Sequence, residues 1–450
     1  MQKQKLKSNQ NRLLLDPIDK LLTQLTIPLI FGMVAVLTFN LVDTFFISLL
    51  GTNSLAAISF TFPVIFAINS MTMGIGVGVS AHLGRILGKK LEIKAKRFAS
   101  HGLLLIAVLS TLLSIIGYFT IDPLFALLGA NQELRLLIEQ YMATCYLFIP
   151  LLAISMVGNN ILRATGDTKT PAVILIISGV INSILDPLFI FGLGPIPAMG
   201  VQGAAIASGI SWTIAVGWSF YILIHKTQLL GLWCMTEIID DWKKILHIGT
   251  PAAFSNALLP ISGAILMALL ASQGTESVAA YGAAQRIESF LLIIVICMTS
   301  ALTPIMSQNL GAKQDQRAFL ALFTGIRYSL LIQFLIFIAM VPLSSPFSAL
   351  FSQDIEVQKQ IWLYLIVVPL SYGCQGIVMM LVSSLNALHQ PKQALGWNLF
   401  RLFGLLLPFA WIGKQLNGTE GLFIGIMVAN FISGFAAYFF AKKIRAHHLG

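Results

Sequence analysis

Charge is scarce in this sequence. Only 10% of its 450 residues are Asp, Glu, Lys or Arg, against 57% that are hydrophobic. A chain so poor in polar groups cannot hide its apolar ones inside a water-soluble globule, so much of its solvent must be lipid. Cysteine is nearly absent too. The four present are Cys145, Cys234, Cys297 and Cys374; they form no CxxC or other metal-ligand spacing, and three fall in hydrophobic runs. They read as small core residues with free thiols rather than as a disulfide framework or a metal site. No GxxxxGK segment occurs, which argues against ATP-driven work by this chain. The seven histidines, His82, His101, His225, His247, His389, His447 and His448, are scattered, so no histidine cluster marks an intramembrane enzyme.

Long apolar runs are what the chain has in plenty. They fall at about 21–50, 54–83, 98–121, 134–162, 170–193 and 200–224, then at about 246–272, 277–308, 319–342, 359–386, 394–413 and 419–441. Each is about the length of a bilayer-crossing helix, so the expected fold is all-α and integral to a membrane, with twelve transmembrane helices. The expected organisation is a tail at 1–20, six spans in 21–228, a linker at 229–245, six spans in 246–442 and a tail at 443–450. The first apolar run is too long for a cleaved signal core and is expected to be retained as a span. Basic residues stay on the cytoplasmic side of short loops. With both termini inside, the N-terminal tail, Arg85 to Arg97, Arg163/Lys169, Lys226/Lys243/Lys244, Lys313/Arg317, Lys392 and Lys442/Lys443/Arg445 all fall there, and only Arg135, Lys359 and Lys414 fall outside. The net charge of +10 therefore reads as an inner-leaflet anchor, with lipid rather than nucleic acid as the partner.

The chain also repeats itself. Gly51-Thr-Asn-Ser-Leu-Ala-Ala57 recurs 223 residues later as Gly274-Thr-Glu-Ser-Val-Ala-Ala280. At the same offset Pro28 meets Pro251, Leu87-Gly88 with Lys90 meets Leu310-Gly311 with Lys313, and Ala164 with Lys169 meets Ala387 with Lys392. Six spans separate equivalent positions, so the halves share an orientation and are expected to form two six-helix bundles related by a pseudo-two-fold axis along the membrane normal. Alternating access about a central cavity is the behaviour such a pair of bundles supports.

An ionisable group inside a membrane is expensive and therefore a functional candidate. Of eighteen carboxylates, Asp43, Asp186 and Glu288 lie well inside apolar runs. Asp43 and Asp186 each stand eight residues before an outer turn, Gly51 and Gly194, which places them at one depth, about 12 Å from that end. Asn40 and Asn182 lie one turn from them on the same faces. Tyr141 and Ser208, counted in from the ends of the fourth and sixth spans, reach the same level. Two desolvated carboxylates with an amide and hydroxyls suit a proton site, because burial favours the neutral acid; the same oxygens suit sodium, and composition does not separate the two. Packing glue between helices is the plainer alternative. The acids are not duplicated: Asp43 pairs with Leu266, Asn182 with Leu405 and Asp186 with Phe409, while Tyr141 alone meets its like, Tyr364. The cation site is thus expected in the N-terminal half only. Asn40 is a candidate for the cavity wall, and Gln285, Arg286 and Glu288 begin the eighth span, where they either line the cavity or hold the second bundle together as an internally paired set.

Several segments resemble the multidrug and toxic compound extrusion (MATE) transporters, and within them the DinF-like branch. They are Leu41-Val-Asp-Thr-Phe45 with the Gly51 turn, Leu162-Arg-Ala-Thr-Gly-Asp-Thr-Lys169, Asn182 with Leu185-Asp-Pro187, Gly203-Ala-Ala-Ile-Ala207, and the repeated turn of the second half. The resemblance covers the chain from Thr26 onward. It implies that Asp43, Tyr141, Asn182 and Asp186 bind the coupling cation, with Ser208 near a hydroxyl position, and that Pro28 is a first-helix proline where bending occurs. The NorM-like branch carries acids in the seventh and tenth spans, and here those spans have none in their membrane portion. The expectation is a secondary antiporter of the inner membrane. It would exchange a small amphipathic or cationic organic molecule for H+ or Na+, work as a monomer and need no cofactor beyond the coupling ion. A flippase for lipid-linked oligosaccharide is the alternative from a related architecture, and a membrane enzyme the third class.

Overall fold

The computed structural model describes residues 12–231 and 234–449; Lys3, Lys5 and Lys7 of the tail, Trp233 of the linker and the final Gly450 lie outside them. Every described element of any length is helical. The first half holds α1 (Ile18–Ser48), α2 (Thr52–Gly88), α3 (Glu92–Phe119), α4 (Gln132–Ala164), α5 (Lys169–Phe191) and α6 (Gly200–Tyr221), the last continued by a π-helical turn, Ile222–Lys226. A short helix, Ile121–Leu127, lies between α3 and α4. The second half holds α7 (Ile238–Ala271), α8 (Thr275–Leu291 and Ile293–Gly311), α9 (Asp315–Phe351) and α10 (Ile355–Ala387). Eleven segments among the described residues are long and apolar enough to cross a membrane. The last, Pro391–Leu449, has 59 residues, about 90 Å of helix and far more than one bilayer needs. It breaks at Asn417 and Gly418, where the backbone leaves helical space. The break divides it into α11, from Pro391, and α12, from residue 419, and the spans are twelve.

The interruptions inside spans have identifiable causes. In α10 the turn Val368–Ser371 tightens to a 3-10 form around Pro369, which has no N–H to give, and Asn430 of α12 braces it by donating to Ser371 Oγ at 3.0 Å. In α8 the break at Leu292 frees the Leu291 carbonyl, which accepts the amide of buried Gln333 from α9 at 3.0 Å. A backbone group opened within an apolar span is thus satisfied by a neighbouring helix.

The 223-residue repeat is a repeat of backbone geometry. Gly51 and Gly274 precede α2 and α8 with φ of 108° and 126°, a region only glycine enters readily. Lys90 and Lys313 both close their helices at φ 58°, and Gly166 (85°) corresponds to His389 (60°). The turn hydrogen bonds match as well: Gly166 N to Arg163 O and Asp167 N to Leu162 O recur as His389 N to Asn386 O and Gln390 N to Leu385 O.

The chain packs as two compact units, one of residues 12–15 with Ile27–Ala253, the other of Asp16–Thr26 with residues 254–449. Each has its own apolar core. The start of α1 therefore belongs to the second unit, where Tyr328 donates to Asp19 at 2.9 Å and Arg317 to the Asp16 carbonyl. The start of α7 belongs to the first. Small residues permit that: a Cβ on Gly74 or Gly78 of α2 would overlap the Gly249 or Ile245 carbonyl of α7. Asp241, 1% exposed, accepts from Arg97 at 3.1 Å and lies 2.9 Å from His101 Nδ1, while Trp242 donates to the His101 carbonyl at 3.0 Å. Residues 229–245, expected as a linker, are accordingly helical from Ile238: a charged stretch that reads as a loop by hydropathy is held in α7 by partners 140 residues away.

Candidate functional site

Three close approaches in the first unit bring α1, α5 and α6 together. A Cβ on Gly32 of α1 would stand 3.1 Å from the backbone of Ala172 in α5; one on Gly179 of α5 would overlap the Phe39 ring of α1; one on Gly203 of α6 would overlap the Phe189 carbonyl of α5. The helices meet where a side chain is missing, and this sets the register of what lies one turn beyond. Asp43 follows Phe39 by four residues, and Asn182 and Asp186 follow Gly179 by three and seven. Ser208 follows Gly203 by five.

At that level the polar groups converge. Asn182 Nδ2 donates to Asp186 Oδ1 at 3.1 Å and to Ser208 Oγ at 3.2 Å. Asp186 is 0% exposed and its Oδ2 has no hydrogen-bond partner among the described residues; Asp43 Oδ1, also buried, has none either. The two carboxylates are near enough for their charges to interact, and buried Tyr141 of α4 lies within electrostatic reach of both. Buried carboxylate oxygens without donors are sites that a cation or a proton would fill. Asn182, Asp186 and Ser208 are thus joined by hydrogen bonds, and Asp43 and Tyr141 lie in the same unit. Asn40, a candidate for the cavity wall, is exposed, and its carbonyl accepts the Thr44 hydroxyl at 2.8 Å.

Pro28 lies inside α1, which stays helical on both sides of it. It stands two residues after Thr26, where α1 passes from one packed unit to the other, and Pro251 stands two residues before Ala253, where α7 does the same.

The second unit holds a different cluster. Glu288 of α8 accepts the Tyr364 hydroxyl at 2.6 Å, Gln285 donates to the Tyr281 hydroxyl at 2.9 Å, and the Tyr281, Tyr364 and Phe423 rings pack edge to face. Arg286 is exposed and forms no ion pair among the described residues, so of the two alternatives the internally paired set is not seen. The cation nearest Glu288 in charge is Arg401 of α11, which the sequence reading passed over. Its signal in the sequence is a lone cation within the apolar run at about 394–413.

The MatE family profile matches residues 28–188 and 251–412, once on each half and at the spacing of the repeat. The chain belongs to the MATE transporter family. It is 43% identical over 438 residues to the FAD transporter of Shewanella oneidensis, covering 97% of each chain, and 26% identical to the probable multidrug resistance protein YoeA of Bacillus subtilis over 88% of each. Its fold superposes on the Vibrio cholerae MATE transporter VcmN in the bent form with a TM-score of 0.92 at 32% identity, covering 98% of this chain and 99% of that one. This MATE chain is thus a membrane transporter with the two-lobed fold of its family.

Proposed function

We propose that this MATE transporter is a DinF-like secondary exporter that moves an amphipathic organic molecule out of the cell in exchange for a proton. Asp43, Tyr141, Asn182, Asp186 and Ser208 form its coupling site. The observation that carries the reading is the pair of buried acids with donor-free oxygens, Asp43 Oδ1 and Asp186 Oδ2, beside Asn182 and Ser208. The Asn182 amide donates one N–H to Asp186 Oδ1 and the other to Ser208 Oγ, engaging two oxygens that a sodium ion would need, which favours the proton. The site works in a monomer within an inner membrane, and both termini are cytoplasmic because the basic residues gather at the ends that this orientation puts inside.

Flavin adenine dinucleotide heads the candidate substrates, since the Shewanella oneidensis relative named for it is 43% identical along almost the whole chain. Its charge is negative rather than positive, which shifts the expectation from cationic toward anionic amphipathic molecules. The test is efflux from vesicles holding FAD, under an imposed pH gradient and, separately, a sodium gradient. Export driven by the pH gradient alone supports the reading; export driven by sodium alone reassigns the ion; export under neither removes the exchange mechanism.

A further inference from the structure

Arg401 sits in the π-helical turn Phe400–Leu406 of α11 and is 5% exposed. Holding a guanidinium there is costly unless its donors find acceptors, and its Nε has no hydrogen-bond partner among the described residues. Glu288 is the acid whose charge it feels. Yet no ion pair closes between them; the carboxylate takes the Tyr364 hydroxyl instead. A pair kept for packing alone would be expected to close into a bidentate bridge. The repeat offers no scaffold reason either, since Arg401 corresponds to Ser178 and Glu288 to Ile65. π-helical turns are rare and gather at functional sites.

We propose that Arg401 is the point in the second unit that recognises an oxyanion of the exported molecule, a phosphate or diphosphate. A planar guanidinium with free donors matches phosphate oxygens two at a time. The cluster is not sealed: Glu288 and Gln285, which share a face of α8, are both half-buried. Glu288, when charged, opposes an anion arriving beside it, so a proton on Glu288 and a phosphate at Arg401 favour one another by electrostatics alone. The inference rests on the flavin-nucleotide reading above and adds to it a site in the half that lacks the paired acids.

Riboflavin, FMN and FAD carry no, one and two phosphates on the same ring system, so they isolate the phosphate. Binding of each to the purified full chain in detergent, read by quenching of flavin fluorescence, needs no gradient and is independent of whether transport is coupled. The wild type is expected to bind FAD and FMN more tightly than riboflavin. Arg401→Gln should weaken FAD and FMN at least tenfold and change riboflavin less than twofold, Arg401→Lys should fall between, and Glu288→Gln should tighten both nucleotides. Equal binding of the three flavins by the wild type overturns the proposal. So does an equal loss of all three in Arg401→Gln, or weaker FMN binding in Glu288→Gln, the result expected of a structural ion pair. Failure of export under both gradients would remove the exchange mechanism and leave these binding results to stand or fall alone.

Discussion

Tyr364 donates its hydroxyl to Glu288 at 2.6 Å, and Tyr364 is the residue that the 223-residue repeat pairs with Tyr141, which lies within reach of Asp43 and Asp186. Tyr364 holds an acid by a hydrogen bond, whereas Tyr141 only lies near two, and the acids come from different helices: α1 and α5 in one half, α8 in the other. Duplication supplied the scaffold and the phenol, and the charges were placed on it separately. The halves should therefore answer differently to equivalent substitutions.

Leu266 holds the place of Asp43 in the second half and is 4% exposed. Leu266→Asn buries an amide without a prepared partner and should lower stability by about 1–3 kcal/mol. Per folded molecule it should retain most export, whereas Asp43→Asn should lose nearly all. Equal losses, measured per molecule that elutes as a single species in detergent, would mean that both bundles carry the coupling site.

Gly203 tests whether helix approach sets the site. A Cβ there meets backbone, the Phe189 carbonyl, which cannot swing aside. Gly203→Ala should cost about 1–3 kcal/mol through overpacking and reduce export by separating Ser208 from Asn182. Gly217→Ala, with nothing within 4 Å, is the control and should melt like the wild type. Matching melting curves for the two would contradict the packing argument.

Asp241 anchors the start of α7 to α3 through Arg97 and His101. Asp241→Ala leaves the buried His101 without its acid and Arg97 with Glu237 alone, and should destabilise by about 3 kcal/mol. Asp19→Ala, at an exposed pairing with Arg327 and Tyr328, should shift the melting temperature far less. Thermal unfolding in detergent separates the two, and equal shifts would deny the buried cluster its role.

Pro28 withholds one N–H from α1 and crowds the turn before it, so the helix has a weak point fifteen residues from Asp43. Pro28→Ala should stiffen α1 without touching the carboxylates. The expected result is unchanged flavin binding with turnover slowed several-fold in vesicles; turnover and pH dependence like the wild type would make the bend incidental.

Much of this was legible in the sequence because two periodicities carry it. Run length gave the spans, and counting residues from each turn brought Asp43, Tyr141, Asn182, Asp186 and Ser208 to one depth, since every residue of a helix rises by about the same 1.5 Å. Depth does not tell which faces of neighbouring helices meet; Asn40, one turn from Asp43 and a candidate for the cavity wall, is exposed. The helical start of α7 was hidden because its charges look like a loop until Arg97 and His101 are placed against them. Arg401 was hidden for a simpler reason: a single cation in a long apolar run barely lowers hydropathy, and nothing local marks the π-helical turn that holds it.

The central claim is that protonation within the Asp43 and Asp186 site drives export. Its most direct test is efflux of FAD from vesicles under an imposed pH gradient with no sodium present, for wild type and Asp43→Asn side by side. The account predicts gradient-driven export by the wild type and none by Asp43→Asn, with the variant inserted at normal levels and no less stable, because removing a buried charge relieves its desolvation. Full export by Asp43→Asn would contradict it.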